Sequence, residues 1–184
     1  TPSDTLWGFA NGHGFGQFYA GPYLVGVWGI RLQQLIRDTY GIPTCIINGG
    51  AGGSQIEFHK RNAANPEDLT NAYGKLLYRA RKAGITNSVK AIFWSQGVSN
   101  TYDTTIHSYP IKFDELYRGW KLDYPNVKMV YVFQDRPSSC SDKMIYQREL
   151  REYQRQFARR YDSLRVLSLT GVDNFDGCHF TYEG

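Results

Sequence analysis

The chain has 184 residues and a mass of 21.1 kDa, with 41% hydrophobic, 21% charged and 15% aromatic residues and a formal net charge of +4. This composition excludes a disordered protein and a coiled coil, and the length suffices for one folded domain. All apolar runs are shorter than the ~20 residues that span a bilayer, so this segment is not expected to insert into a membrane. The basic residues are dispersed along the chain, and the sequence therefore predicts no nucleic-acid interface.

From residue 22 onward, short apolar runs alternate with amphipathic stretches, which predicts an α/β fold with a parallel sheet. The predicted helices cover residues 22–39, 66–83, 111–122 and 143–161. The predicted strands are PTCIIN from Pro43, VKAIFWS from Val89, VKMVYVF from Val127 and LRVLSL from Leu164. We expect Pro66 in the first turn of the second helix and Gly84 at its carboxyl end.

The domain organisation follows from the same pattern. The sequence contains no internal repeat and no linker, so residues 1–184 are expected to form a single domain. Residues 1–21 hold glycine, asparagine and aromatic residues without any period, and we expect an irregular surface segment there. The chain opens on loop and helix rather than on a strand, and it ends where a helix normally closes an α/β unit. We therefore expect an internal piece of a longer protein.

A glycine-rich loop follows the first predicted strand. It reads Asn48-Gly-Gly-Ala-Gly-Gly-Ser54, and its glycines allow backbone N–H groups to approach a phosphate or an oxyanion closely. A dinucleotide site is disfavoured, because the third glycine of that fingerprint is missing and no acidic residue ends the next strand. A tight turn without a ligand is the alternative interpretation.

Two further loops after predicted strands carry polar residues suited to catalysis, since sites of parallel sheets lie at the carboxyl ends of the strands. The loop Ser95–Asn100 contains Gln96, whose amide is able to donate a hydrogen bond to a reacting oxygen; an ordinary loop is the alternative. The last loop places Asp176 three residues before His179, a spacing that lets the carboxylate orient the imidazole. A purely structural Asp–His pair is the alternative there.

Taken in order, these blocks resemble one family. The quoted segments are GPYLVGVWGIRL from Gly21, NGGAGGSQIEFH from Asn48, FWSQGVSN from Phe93 and DGCHFTYEG from Asp176. They are similar to the blocks of SGNH-type esterases, in the branch of sialate O-acetylesterases and acetylxylan esterases. The resemblance implies an SGNH (flavodoxin-like) three-layer α/β/α sandwich with a parallel sheet. It also implies a serine hydrolase that removes acetyl groups from sugars, with an O-acetylated glycan as partner and without metal or organic cofactor.

The resemblance assigns roles to individual residues. His179 is the expected general base and acid, and Asp176 its orienting carboxylate. The expected oxyanion donors are the backbone N–H groups of Gly52 and Gly53 and the side chain of Gln96. Substrate contacts are expected from three residues of the same loops, namely Asn48, Ser54 and Asn100.

Two departures from the family pattern stand out. No GQSN or GDS block occurs in the sequence, and by family order this block, with the first strand and the nucleophilic serine, is expected upstream of Thr1. The glutamate of the family's Q-G-E block is Val98 here. The alternative function is therefore a non-catalytic SGNH-like module of a larger cell-surface or secretion assembly, which binds glycan or acts structurally. Ser54 and Ser99 are local nucleophile candidates, but neither lies in a G-x-S-x-G elbow.

The three cysteines are too few and too widely spaced for a zinc site, and at most one bridge is possible. Cys140 and Cys178 both lie in loops at the expected active-site end, so we predict a disulfide that ties down the catalytic loop; two free thiols are the alternative. Cys45 lies inside a predicted strand and is expected to be a buried thiol. A disulfide would suit an extracytoplasmic location, whether secreted, periplasmic or at the cell surface.

Overall fold

The computed structural model describes residues 25–137, 140–173 and 176–181 of the chain, and the expected irregular segment 1–21 lies outside them. Two compact units are distinguished. The first consists of Thr1–Gly53 and Asn62–Ile85, and the second of Ser54–Arg61 and Thr86–Gly184. None of the helices in the described ranges is long and apolar enough to cross a bilayer.

The first unit contains the helices α1 (Gly26–Tyr40) and α2 (Ala72–Lys82). α1 agrees with the amphipathic stretch predicted at 22–39 and ends at Gly41, which adopts the left-handed conformation with φ of +68°. α2 is shorter than predicted at its amino end. The Asn71 side chain accepts a hydrogen bond from the Gly74 N–H at 2.8 Å and caps the helix there, so the expected place of Pro66 in the first turn was wrong.

The carboxyl end of α2 was predicted correctly. Gly84 has a φ of +68°, and its N–H donates to the Arg81 carbonyl at 2.9 Å. The Ile85 N–H donates to the Ala80 carbonyl at 3.0 Å. These two bonds form a Schellman motif, which requires a residue that tolerates positive φ at this position.

The segment 43–48 is not a strand in the structure, although its apolar run predicted one. A strand is defined by a ladder of hydrogen bonds to a neighbour, and the described part of the chain contains no such partner for this segment. Cys45 is exposed rather than a buried thiol, so that expectation was also wrong. Within the first unit, Ile46 of this segment lies close to Gly29 of α1, and Gly49, the next residue after the segment, lies close to Leu76 of α2.

The second unit is built on a three-stranded parallel sheet. Its strands are β1 (Ala91–Trp94), β2 (Met129–Gln134) and β3 (Leu164–Ser168), in the order β1-β2-β3. The connecting helices are α3 (Tyr109–Asp123) and α4 (Gln147–Arg160). All five elements lie where the alternation of apolar and amphipathic stretches predicted them, and the α/β class with a parallel sheet is confirmed.

One face of the sheet carries the core of this unit. Val130 and Leu164 lie opposite each other in register and are fully buried. The two helices meet over this core, where the ring of Phe113 in α3 stacks on Phe157 in α4 with centroids 4.1 Å apart. Burial of such apolar side chains is the main free-energy gain on folding, about 1.5–3 kcal/mol for each fully buried side chain.

Two ion pairs fasten the carboxyl end of the Ser54–Arg61 segment to α3. The Arg61 guanidinium donates to the buried Asp123 carboxylate at 2.7 and 3.3 Å, and Lys60 pairs with Glu115 at 3.2 Å. The pair of Arg61 and Asp123 is largely buried, with side-chain exposures of 19% and 4%. Loss of either partner would therefore leave an unpaired charge in the protein interior. This anchoring fixes the position of the Ser54–Arg61 segment relative to the sheet.

Gly97, in the turn after β1, is expected to be intolerant of any side chain. It has a φ of +137°, and a Cβ there would lie 2.5 Å from the Leu150 Cδ1. We predict that Gly97→Ala lowers the free energy of unfolding by about 3 kcal/mol, from overpacking of a buried leucine and backbone strain together. Urea denaturation measures this value. Gly171→Ala is the matched control, because Gly171 also has positive φ but open space around it; equal losses for the two variants would contradict the packing argument.

Candidate active site

The carboxyl ends of the three strands form one edge of the sheet, because the strands are parallel. Gln96 comes two residues after β1, and Asp135 and Arg136 come directly after β2. The loop after β3 leads to Asp176 and His179. It returns to the end of β2, where the Arg136 guanidinium lies 6.0 Å from the ring centroid of Phe180. The loop Ser95–Asn100 and the loop that carries Asp176 and His179 therefore lie at the same edge of the sheet.

The side chain of Gln96 is fixed by hydrogen bonds. Its Nε2 donates to the Ser54 carbonyl at 3.0 Å and to Asn100 Oδ1 at 2.9 Å. An amide nitrogen has two hydrogens, so both are used. Its backbone carbonyl accepts from the Tyr109 hydroxyl at 3.1 Å. A role of Gln96 at an oxyanion therefore requires that one of the two side-chain bonds is first given up.

Asn100 lies entirely inside the protein. Its Oδ1 accepts from the Ile56 N–H at 2.9 Å as well as from Gln96, and its Nδ2 donates to Glu57 Oε2 at 3.1 Å. The residue has 0% exposure, so its geometry indicates a role inside the loop rather than contact with a sugar. Glu57 in turn forms an ion pair with Lys112 of α3.

Ser54 forms a second contact that the sequence did not predict. Its hydroxyl lies 2.8 Å from Nε2 of His59, and His59 is buried against the edge of the Trp94 ring, with centroids 5.0 Å apart. Burial lowers the pKa of His59 to about 4. The imidazole is therefore neutral near pH 7, and its Nε2 shares a hydrogen bond with the Ser54 hydroxyl. So weak a base activates a serine poorly, which argues against Ser54 as a nucleophile.

The burial of His59 predicts a pH-dependent stability. The unfolded chain protonates this histidine near pH 6.5, whereas the folded protein resists protonation down to about pH 4, so stability falls as the pH drops from 6.5 to 4. Between pH 7 and pH 4.5 the wild type should lose roughly 2.5 kcal/mol more than a His59→Gln variant. Urea unfolding at the two pH values measures the difference. Parallel losses in both proteins would show that His59 does not resist protonation.

Asp176 and His179 form a local pair. Asp176 Oδ1 accepts from the backbone N–H groups of Cys178 at 2.8 Å and His179 at 2.7 Å, and Oδ2 lies 2.6 Å from His179 Nδ1. The turn at Gly177 has a φ of +81°, which glycine adopts without strain. The His179 side chain is 70% exposed, so the pair faces solvent. An imidazole oriented in this way, with Nδ1 on a carboxylate, has the geometry of a general base.

The carboxylate of this pair should stay ionised far into acid. The backbone N–H of His179, its side chain and the N–H of Cys178 together lower the pKa of Asp176 to about 2. Its contribution to stability is complete above pH 3.8 and is lost as the pH falls through about 2. Carbon NMR of the Asp176 carboxyl should show a midpoint near pH 2 in the wild type and a higher one in His179→Ala. A wild-type midpoint at the ordinary value would contradict the hydrogen-bonded geometry.

The predicted disulfide is confirmed. Cys140 and Cys178 are bonded, and the Cys140 N–H also donates to the Gly177 carbonyl at 2.9 Å. Because Cys178 is the residue before His179, the bridge ties the Asp–His turn to the segment that follows β2. Cys45 is the free cysteine.

The glycine loop belongs to the first unit up to Gly53. Gly53 has a φ of +68°, Gly52 is exposed, and the Asn48 side chain accepts from the Gly50 N–H at 2.8 Å. The structure thus groups Gln96, Ser54 and Asn100 in one hydrogen-bonded cluster and Asp176 with His179 in another. The roles assigned to Gly52, Gly53 and Asn48 stay predictions.

Sequence reasoning missed two residues of the first cluster. It did not single out His59 or Glu57, yet the His59 side chain contacts Ser54 of the glycine loop and the Glu57 side chain accepts from Asn100 of the loop after β1. The local signal for His59 was weak, a histidine five residues after Ser54 in a short apolar segment. Within the described ranges, no group of three or more His, Cys, Asp or Glu side chains is arranged to hold a metal ion.

Comparisons with known proteins agree with this architecture. A family model described as "Carbohydrate esterase, sialic acid-specific acetylesterase" matches residues 29–184. A solved carbohydrate acetylesterase from Xanthomonas citri is similar in fold, with a TM-score of 0.62 and 19% identity. The match covers 83% of this chain and 36% of that protein, so the chain spans about a third of its length. No curated protein matches the sequence. From the family match over most of its length, the chain belongs to the sialic acid-specific acetylesterase family of carbohydrate esterases.

Proposed function

We propose that this protein is a carbohydrate O-acetylesterase, a serine hydrolase that removes acetyl groups from sugars. The observation that carries the proposal is the Asp176–His179 pair at the carboxyl edge of the parallel sheet, with Nδ1 held 2.6 Å from a carboxylate oxygen. The family match and the fold of the solved acetylesterase support the ester-hydrolase class. The acetylated sugar as substrate is part of the proposal.

His179 would move the protons. Because its Nδ1 faces Asp176, Nε2 is the nitrogen that takes the proton of the nucleophilic hydroxyl as this attacks the acetyl carbonyl. The tetrahedral intermediate collapses when His179 returns that proton to the sugar oxygen, which breaks the ester bond and leaves an acetyl-serine. Water, deprotonated by the same histidine, then attacks the acyl-enzyme, and acetate is released as His179 returns this proton to the serine oxygen. Asp176 holds the ring and stabilises the imidazolium in both halves.

The oxyanion and the nucleophile come from other parts of the protein. Gly52 and Gly53 are the proposed backbone donors, and each donor is worth about 3 kcal/mol of barrier. Gln96 joins them only if its amide leaves the Ser54 carbonyl or Asn100. The proposed nucleophile is a serine upstream of Thr1, and Ser54 and Asn48 are proposed substrate contacts.

An extracytoplasmic location is part of the proposal. It is supported by the disulfide between Cys140 and Cys178, because such bridges persist in oxidising compartments and are rare in the cytosol. An O-acetylated glycan at a cell surface is a substrate available in that compartment.

A single assay tests the activity. A full-length protein that contains the proposed upstream serine should hydrolyse p-nitrophenyl acetate with saturation kinetics, and replacement of that serine by alanine should reduce the rate to background. Equal rates for the two proteins would remove the serine mechanism. Peptide mass spectrometry after rapid acid quenching should locate the transient acetyl group on that serine.

Two observations favour a second function. Val98 replaces the family's glutamate, and both side-chain hydrogens of Gln96 are already used within the protein. A non-catalytic glycan-binding or structural module of a larger surface or secretion assembly would have these features. Binding of acetylated oligosaccharide, measured by calorimetry, without any release of acetate would identify that module.

A further inference from the structure

The cluster around Asn100 joins two loops that are far apart in sequence. The Asn100 Oδ1 accepts hydrogen bonds from the Ile56 N–H and the Gln96 amide, and its Nδ2 donates to Glu57. Its side chain is fully buried, so water does not replace these partners. The Gln96 amide joins the same two loops, because it also donates to the Ser54 carbonyl. Together these bonds hold the segment that follows the glycine loop against the turn after β1.

The same geometry determines what Gln96 is able to do. Both of its amide hydrogens point at protein oxygens, and an opposite orientation of the amide would place its oxygen against the Ser54 carbonyl and Asn100 Oδ1, both of which are acceptors. Asn100 Oδ1 is fixed as an acceptor by the Ile56 N–H, which is able only to donate. The orientation of Gln96 is therefore set by Asn100.

We propose that Asn100 and Gln96 are a pair of positioning residues, which hold the segment after the glycine loop in place and do not touch the reacting oxygen. The inference rests on the proposed esterase function, and it removes Gln96 from the proposed oxyanion donors. Glu57 completes the unit. Partial burial opposes its ionisation, but hydrogen bonds from Lys112 and Asn100 outweigh this effect and keep the pKa of Glu57 below its ordinary value.

The two roles predict opposite outcomes for one substitution. Asn100→Ala frees an amide hydrogen of Gln96, so an oxyanion donor would keep or improve its rate. A positioning pair would lose kcat, by about 100-fold, with KM changed far less, because small misplacements of catalytic groups have effects of this size. Gln96→Ala should cause a similar loss, and the double variant should be no worse than either single variant, since both remove the same support.

A pair of substitutions that exchanges donor and acceptor between Asn100 and Glu57, the reversal variant, distinguishes a positioning role from simple loss of folding. Asn100→Asp places a carboxylate against Glu57, so activity should fall at neutral pH and recover partly in acid, as one carboxyl is protonated. Asn100→Asp with Glu57→Gln restores a complete set of donors and acceptors, and activity should return to within about fivefold of the Glu57→Gln single variant. Asn126→Ala is the matched control, because this asparagine makes a surface bond to the Asn87 carbonyl at the other end of the sheet.

The experiment measures acetate release from p-nitrophenyl acetate per folded molecule of the full-length protein, together with hydrogen exchange of the Ile56 amide. Asn100→Ala at or above the wild-type rate, or a reversal variant as impaired as Asn100→Asp, would overturn the inference. If the wild type releases no acetate, the proposed function is wrong. The positioning inference is then tested by hydrogen exchange of the Ile56 amide alone. Protection of Ile56 in the wild type and the reversal variant, with its loss in Asn100→Ala, supports the inference; an unprotected wild-type amide refutes it.

Discussion

Replacement of His179 by alanine is expected to lower kcat/KM of the full-length protein for an acetyl ester by about 10³–10⁴-fold. A serine hydroxyl is a poor nucleophile until a base takes its proton, and His179 is oriented for this by Asp176 at 2.6 Å. Asp176→Asn should cause a loss of similar order, because an asparagine does not stabilise the imidazolium. Initial rates on p-nitrophenyl acetate measure both effects.

The matched control for this experiment is His107→Ala. His107 is exposed and lies with its ring edge against Tyr146, centroids 5.3 Å apart, so its loss should leave the rate within about twofold. Equal rates for wild type and His179→Ala would make the Asp–His pair structural and would favour the non-catalytic module.

Loss of the disulfide is expected to have the largest effect on stability. The bond closes a loop with a sequence separation of 38 residues, for which the chain-entropy relation gives about 4 kcal/mol. Cys140→Ser with Cys178→Ser should therefore lower Tm by roughly 10 °C. Activity should fall as well, because the bridge restrains the turn that carries Asp176 and His179. Differential scanning calorimetry and initial rates on the same preparation test both parts.

Cys45→Ser serves as the control for this pair. Cys45 is free and exposed, so its replacement should shift Tm by no more than about 1 °C. A double serine variant with wild-type Tm and wild-type activity would show that the bridge neither stabilises the fold nor supports the Asp–His turn.

Elements with strong local patterns were predictable from the sequence. α4 combines buried Leu150 and Phe157 with a charged opposite face, and β2 is a continuous apolar run with Val130 and Val132 inside. Segment 43–48 also contains a short apolar run, Cys45–Ile47, but it is not a strand. Its composition says nothing about whether a ladder partner lies beside it, so a local pattern was insufficient there.

The candidate site also has a part that was predictable from local sequence and a part that was not. The Asp176–His179 pair is local, since a three-residue spacing and an intervening glycine bring the two side chains together. The contacts of Asn100 span 43 and 44 residues, to Glu57 and Ile56. Such contacts are created by the packing of the Ser54–Arg61 segment on α3, and no spacing in the sequence predicts them. The sequence therefore did not predict that both amide hydrogens of Gln96 are used within the protein.

The most direct test of the proposed function uses a sugar substrate rather than an activated ester. Proton NMR follows acetate release from an O-acetylated oligosaccharide incubated with the full-length protein or with its His179→Ala variant. We expect steady loss of the sugar-bound acetyl signal with equal growth of free acetate for the wild type, and no change above the spontaneous rate for the variant. An unchanged acetyl signal with the wild type, on acetylated sialic acid as well as on acetylated xylo-oligosaccharide, would contradict it.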